Sequence, residues 1–463
     1  MAEHRISIIG AGLAGSLLSI YLARRGFTVD IFEARGDMRK EETAAGRSIN
    51  LALSDRGIAA LREVGMDEFM LAEAVPMYGR MIHHPSGNTK LLPYSGREGE
   101  YINSVSRAGL NIALMNEADK YPNVQIVFSQ RCSGFDTATG EVLFESGRTI
   151  RADSMIATDG AGSPVRQAME RQRGEMSVSS VFLDHGYKEL SIPPGEGGKF
   201  LLEKNALHIW PRHKFMMIAL PNFDGSFTCT LFLAHRSSPS SPHITGPDDE
   251  RAWSFETLQD QDAVLDLFRT QFPDALPLMP TLIEDFFENP TGELGTLRCW
   301  PWHFEDKVLL LGDSAHAMVP FYGQGMNCAF EDVRTLDRLL TDQGALTGGQ
   351  IDWNAIYEEY SSIRKPNTDA IQDMAEENFY EMRDATADPV FQRKRELETR
   401  LEQTYPDYFS KYSMVTFRED LPYSVAKSRG NAQDELLMEL CANVENVNEL
   451  DLNEVMKKLS RLQ

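Results

Sequence analysis

Residues 5 to 9 are a solid apolar run, residues 13 to 25 carry apolar positions at helical spacing, and 28 to 33, "TVDIFE", is a second short β-type run. Strand, helix and strand within about 30 residues predict one right-handed βαβ unit, the opening of a doubly wound parallel sheet. Residues 76 to 103, rich in glycine and proline with aromatic residues interleaved, read as an excursion out of that sheet. Helical periodicity resumes at 107 to 120. From 178 to 234 the period changes to two. "HGYKELSI", "ALHIWP", "FMMIALP" and "SFTCTLFLA" alternate between turn residues and predict four successive strands of an antiparallel sheet in a separate lobe.

Residues 235 to 250 have too little apolar content to pack and read as a loop. A buried strand is then expected at 306 to 312, and a helix at 326 to 340 with Met326, Phe330, Val333, Leu336 and Leu340 on one face. The lobe built on the first βαβ unit is therefore discontinuous, with the β lobe inserted. The tail from about 351 onward is helical and charged. Its stripe of Leu436, Leu440, Val444 and Val447 predicts a docking face rather than a membrane helix.

At 463 residues the chain is long enough for two or three lobes. Lys plus Arg number 46 against 69 Asp plus Glu, so a net charge of -23 argues against nucleic acid and anionic membranes as partners. Cys132, Cys229, Cys299, Cys328 and Cys441 show no CxxC and no metal-ligand spacing, which fits core thiols in a reducing cytosol and no bound metal. The first 26 residues imitate a signal peptide, but glycines interrupt them at phosphate-loop spacing. No run reaches the roughly 18 apolar residues of a membrane span. A soluble cytoplasmic protein is expected.

"GAGLAG", Gly10 to Gly15, lies between the first strand and helix, and Glu33 closes the second strand. Gly10 permits the tight turn, Gly12 lets backbone approach a pyrophosphate, and Gly15 lets helix and strand pack closely. Leu13 and Ala14 complete the loop. Glu33 is placed to accept from the hydroxyls of an adenosine ribose and disfavours a 2′-phosphate, which leaves FAD or NAD. Two further strand ends carry acids: "DSMIATDGAGSPVRQAM" holds Asp159, and "VLLLGDSAHAMVPFYGQGMNCAFED" holds Asp313.

The fingerprint, the Asp-Gly motif and the Gly-Asp motif, in that order over some 320 residues, resemble the class A flavoprotein aromatic hydroxylases. That resemblance implies an α/β fold: a discontinuous Rossmann-type FAD-binding domain (1–75, 103–175 and 295–375), an antiparallel β-sheet substrate domain (76–102 and 176–294) and a C-terminal helical region (376–463). "GRSINLALSDRG", "YGRMIH", "HGYKEL", "NALHIWP", "MVPFYGQGMNCAFED" and "KYSMVTF" are similar, more narrowly, to the kynurenine 3-monooxygenases. By that resemblance FAD is the cofactor, NADPH and O2 are co-substrates, and a flavin C4a-hydroperoxide hydroxylates L-kynurenine at ring position 3. No oligomeric state is implied.

The same resemblance assigns residues. Arg80 would take the substrate carboxylate, with Tyr94, Asn378 and Tyr412 supplying hydrogen bonds, and Leu207, Leu220, Phe232, Phe321 and Met382 forming dry walls. Read without it, Arg80 is a surface ion-pairing residue. Arg35 and Arg107 would contact FAD, Asp313 the ribityl chain, and Pro320, Gly323, Gly325, Met326 and Asn327 the ring loop. An electron-rich aniline ring needs no protein base, and none is named. His84, His208 and His316 are expected to be structural. A flavin halogenase, for which "CWPWHFED" departs after Trp302, a disulfide reductase, which lacks its cysteine pair, and a non-catalytic FAD-binding sensor are the competing classes.

Overall fold

The computed structural model describes residues 4–40, 50–174, 176–236, 253–342, 351–384 and 388–462. Residues 46–49 of "GRSINLALSDRG" and most of the predicted 235–250 loop lie outside them. The chain divides into two compact units, one formed by 1–72, 106–181 and 295–375, the other by 73–105, 182–294 and 376–463.

The first unit is built on a six-stranded sheet. Arg5–Ile9 is its centre, paired in parallel with Thr28–Phe32 on one side and Ser154–Ala157 on the other. Val124–Val127 and Val308–Leu310 extend it in parallel, and His303–Phe304 adds an antiparallel edge. Ile6, Ile8, Val29, Ile31, Ile156 and Leu309 are fully buried, as strands covered on both faces must be. The strand expected over 306–312 contracts to Val308–Leu310, because Gly312 already turns at φ +68°. Helix Leu13–Arg24 follows the first strand, and Gly325–Asp342 exceeds the predicted helix by a turn fraction at each end.

In the second unit the four predicted strands are Ser177–Ile192, Ala206–Arg212, Phe215–Pro221 and Phe227–Ala234, antiparallel in the order first, fourth, third, second. The 76–103 stretch leaves the first sheet, as its composition predicts, and supplies two strands, not predicted individually, to the second. Gly79–His83 pairs in parallel with Ala206–Arg212, and Thr89–Pro93 adds an antiparallel edge to it. Period-two alternation sorts this sheet into two faces. One carries Trp210, Phe215, Met217, Cys229 and Leu231 into a core closed by Val264, Leu267, Phe268 and Phe286 of two helices. The other face holds Arg80, which is registered with Leu207, together with Leu220 and Phe232.

The C-terminal apolar stripe finds its cover inside this unit. Leu436 and Leu440 pack partly, and Leu437, Cys441 and Val447 fully, against Leu397, Leu401, Tyr408, Val455 and Leu459. Among the described residues no helix is long and apolar enough to cross a membrane.

Candidate functional site

Gly10, Asp159 and Gly312 follow the ends of three adjacent parallel strands, which is where doubly wound sheets bind ligands. Gly10 has φ +101°, and a Cβ there would stand 2.6 Å from the Thr158 carbonyl oxygen. At Gly15 a Cβ would meet the Gly10 carbonyl oxygen at 2.1 Å, so helix and loop touch through bare backbone. At Gly12 nothing lies within 4 Å of a Cβ. That open side, together with a helix N-terminus that has no side-chain cap, leaves the amides of Leu13 and Ala14 to an outside anion.

Glu33 is buried and accepts from Ala11 N at 2.9 Å, Arg35 N at 3.0 Å and Arg35 Nε at 2.8 Å. Burial alone would raise its carboxyl; these donors hold it below the usual carboxylate value. Arg35 thus fixes Glu33 through a side chain that is itself two-thirds exposed. Asn111, which sequence reasoning missed, donates to the Ala11 carbonyl at 3.1 Å and ties helix Arg107–Ala118 to the loop. Arg107 opens that helix, exposed and without an ion pair among the described residues.

Asp159 is the electrostatic exception. Both carboxylate oxygens are out of water, neither makes a well-formed hydrogen bond, and burial pushes the carboxyl up to about 6. Arg166 binds the neighbouring loops together, donating to the Ala161 carbonyl at 2.5 Å and the Ser314 carbonyl at 2.8 Å. Asp313 begins the short helix Asp313–His316 with its side chain exposed. Beyond it Pro320 is exposed and Phe321 buried in one 3-10 turn, Gly323 has φ +67°, and Gly325 opens the long helix, followed by the half-buried Met326. Asn327 is fully buried. Its side chain accepts from Ser54 N and donates to the Ala52 and Gly323 carbonyls, so it holds the ring loop from behind and only its backbone is left to a ligand. An uncapped glycine loop, a buried acid at the end of the second strand and a buried carboxylate with no well-formed hydrogen bond fit FAD.

His316, Cys328 and Asp332 bring three ligand atoms within 4.8 Å of one another. A guanidinium already serves as the cation there, since Arg364 Nε donates to Asp332 Oδ1 at 2.6 Å and Arg364 Nη1 to Glu331 at 2.5 Å. His316 Nε2 and Gly312 N occupy Asp332 Oδ2. The cluster reads as a buried ion-pair network behind the Gly-Asp loop, not a metal site.

In the second unit Arg80 is 9 % exposed, not the surface residue that its sequence alone would allow. Its guanidinium carbon lies 5.8 Å from the Tyr94 ring centre and 5.1 Å from that of Tyr412. The two rings stack at 5.1 Å and 10°. Arg80 Nε and Tyr94 Oη are buried with no hydrogen-bond partner among the described residues. Burial, reinforced by the neighbouring Tyr412, pushes the Tyr94 phenol well up, so it stays a neutral donor. Glu381 lies 3.8 Å from Arg80 on helix Trp353–Asp384, which also carries Asn378 and Met382, 3.3 Å apart through Nδ2 and Sδ. Gly79 sets the strand spacing, because a Cβ would meet the Leu92 carbonyl oxygen at 2.4 Å.

On the opposite face of the same strand, His83 joins Asp274 at 2.7 Å and His208 at 2.9 Å, and His208 Nε2 donates to the Glu203 carbonyl. Each link has one order of donors: the carbonyl only accepts, so His208 Nδ1 accepts from His83 Nε2, and a proton must sit between His83 Nδ1 and Asp274. His208 is thus structural, as expected. His84 is an exposed turn residue bonded to Ser86.

An FAD binding domain family matches residues 3–224 and 292–375. Kynurenine 3-monooxygenase of Myxococcus xanthus is 45% identical, over 98% of this chain and 94% of that protein. The enzyme of the same name from Dictyostelium discoideum is 42% identical over 98% and 97%. The fold is shared with 2-methyl-3-hydroxypyridine-5-carboxylic acid oxygenase (TM-score 0.64, 18% identity, 86% of this chain and 98% of that one). A Klebsiella pneumoniae HpxO variant solved with FAD is equally similar in fold (TM-score 0.64, 20% identity, 85% and 94%). With a fingerprint loop that fits FAD and identity of this extent along nearly its whole length, the chain belongs to the kynurenine 3-monooxygenase family of FAD-dependent enzymes.

Proposed function

We propose that the protein hydroxylates L-kynurenine at ring position 3, using NADPH and O2, to give 3-hydroxykynurenine. FAD, when bound and reduced, supplies the activated oxygen; the chain's own residues bind, orient and keep water away. The observation that carries this reading is the buried cluster of Arg80, Tyr94 and Tyr412, in which Arg80 Nε and Tyr94 Oη make no well-formed hydrogen bond and are open to an oxyanion. A substrate carboxylate across Arg80 satisfies them with charge-assisted bonds. Glu381 is the acid available to the α-ammonium group, and Asn378 lies one helical turn behind it.

Leu207, Leu220 and Phe232 share the sheet face of Arg80 and, with Met382, supply apolar wall for an aromatic ring. Phe321 is a buried apolar residue of the ring loop in the first unit. Dry walls matter because water diverts the activated oxygen into hydrogen peroxide. The aniline nitrogen activates its own ring, so no catalytic base is assigned.

Gly10, Gly12, Leu13, Ala14, Gly15, Glu33 and Arg35 are assigned to the adenosine and pyrophosphate. Arg107, Asp159 and Asp313 are given to the pyrophosphate and ribityl chain, and Pro320, Gly323, Gly325, Met326 and Asn327 to the ring. Purified protein should be yellow, L-kynurenine should accelerate its NADPH oxidation, and the product should be one oxygen atom heavier. A yellow protein indifferent to L-kynurenine would refute the reading. Arg80→Ala should raise the kynurenine KM about thirtyfold, the low end of what removing one partner of a buried charge pair costs.

A further inference from the structure

The two chain segments that carry Tyr94 and Tyr412 converge on one buried carboxylate. Glu402, 4 % exposed on helix Pro389–Thr404, accepts through Oε2 from Gly96 N at 2.8 Å and Ser95 Oγ at 3.1 Å, directly after Tyr94. Through Oε1 it accepts from Ser410 N at 3.0 Å and Ser413 Oγ at 2.6 Å, on either side of Tyr412. Arg97 Nη1 stands 3.7 Å from Glu402 Oε1 and 3.7 Å from Glu100, and the rest of its guanidinium reaches the second segment. It lies over the Phe409 ring at 3.9 Å and donates to the carbonyls of Pro406 at 3.2 Å and Tyr408. The approach is close enough that a Cβ on Gly96 would stand 2.3 Å from the Thr399 carbonyl oxygen.

We propose that Glu402 is a positioning residue for the amino-acid end of the substrate, its carboxylate fixing the spacing of Tyr94 and Tyr412 and hence the slot in front of Arg80. The proposal rests on reading Arg80 and the two tyrosines as that end. The physical reason is specific to a carboxylate. Oε1 of Glu402 faces Ser410 N, Ser413 Oγ and, at 3.7 Å, Arg97 Nη1; Oε2 faces Gly96 N and the Ser95 hydroxyl, whose proton it shares with Glu100 at 2.5 Å. An amide in its place would turn NH2 toward one pair, so one segment would lose its acceptor and meet a donor instead. Charge-assisted bonds to a buried carboxylate are short and directional, which suits a spacer.

The test is steady-state kinetics of the FAD-loaded enzyme. Glu402→Gln should raise the kynurenine KM about tenfold while kcat stays within about twofold, the pattern of lost substrate binding rather than lost chemistry. Tyr412→Phe should then cost less in KM in the E402Q background than in the wild type, because the ring it alters is already displaced. An unchanged KM with only a lower melting temperature would overturn the proposal, as would KM penalties that simply multiply. Should Glu402→Gln fail to fold, Ser413→Ala decides: a KM rise of about threefold supports it, and none overturns it. Arg80→Ala separates the two levels. If it leaves KM unchanged, the underlying site assignment is wrong; if it raises KM and Glu402→Gln does not, only the positioning role falls.

Discussion

Single residues here carry charge where the surroundings punish it. Asp159 is the clearest case: its carboxyl sits at about 6 against an ordinary 3.8 because burial disfavours the anion. A folded value above the unfolded one means that the stability tied to this group is fully present below pH 3.8 and is lost as pH rises through 6. Asp159→Asn should therefore stabilise the FAD-free protein at pH 8, by up to about 3 kcal/mol, with the gain vanishing near pH 4. It should simultaneously weaken FAD binding; urea titrations across pH and flavin fluorescence would read the two effects. A gain that does not depend on pH would refute the assignment. The motif marked Asp159 in the sequence, but nothing local announced that its oxygens make no well-formed hydrogen bond, since that depends on how three loops close around it.

Elements joined by distant contacts were the least legible. The fingerprint strand, helix and second strand were readable because each is a buried run beside its own motif. The Gly79–His83 strand was not, because its parallel partner lies about 125 positions away and pairing at that separation leaves no local signal. Glu402 and Asn111 escaped for the same reason: on their own helices they look like ordinary polar residues. The buried network of the first unit makes the same point energetically. Arg364 is 1 % exposed and bridges Glu331 and Asp332; against the opposing effect of burial, Arg364 with Arg56 holds the Glu331 carboxyl low, and His316 with Arg364 holds that of Asp332 low. Arg364→Leu should cost about 3–5 kcal/mol, the penalty for leaving buried charge uncompensated, and a urea midpoint shift would measure it. A loss under about 1 kcal/mol would mean that the pair is already solvated.

For the molecule as a whole, composition said more about its surroundings than about its work. A net charge of -23 repels itself as well as other anions. Raising salt from about 0.1 M to about 1 M shortens the reach of each charge from about 10 Å to about 3 Å, so thermal melts should shift upward by a few degrees. A downward shift would mean that ion pairs outweigh the excess of like charge. The first unit was largely legible from periodicity and motifs. In the second, periodicity found the four central strands, and family resemblance supplied the side chains around Arg80.

Arg80 and His83 share one five-residue strand but stand on opposite faces of it. Odd and even positions of Gly79–His83 therefore answer to different selection. On the proposed reading of Arg80, replacements on its side would retune which amino acid is accepted while the imidazole relay beneath is left alone, so specificity could drift without endangering the scaffold. A deletion of one residue in that strand has no such freedom. It would exchange the two sides at a stroke, sending the guanidinium into the aromatic core and the imidazole toward Tyr94 and Tyr412, and no compensating substitution nearby could restore both.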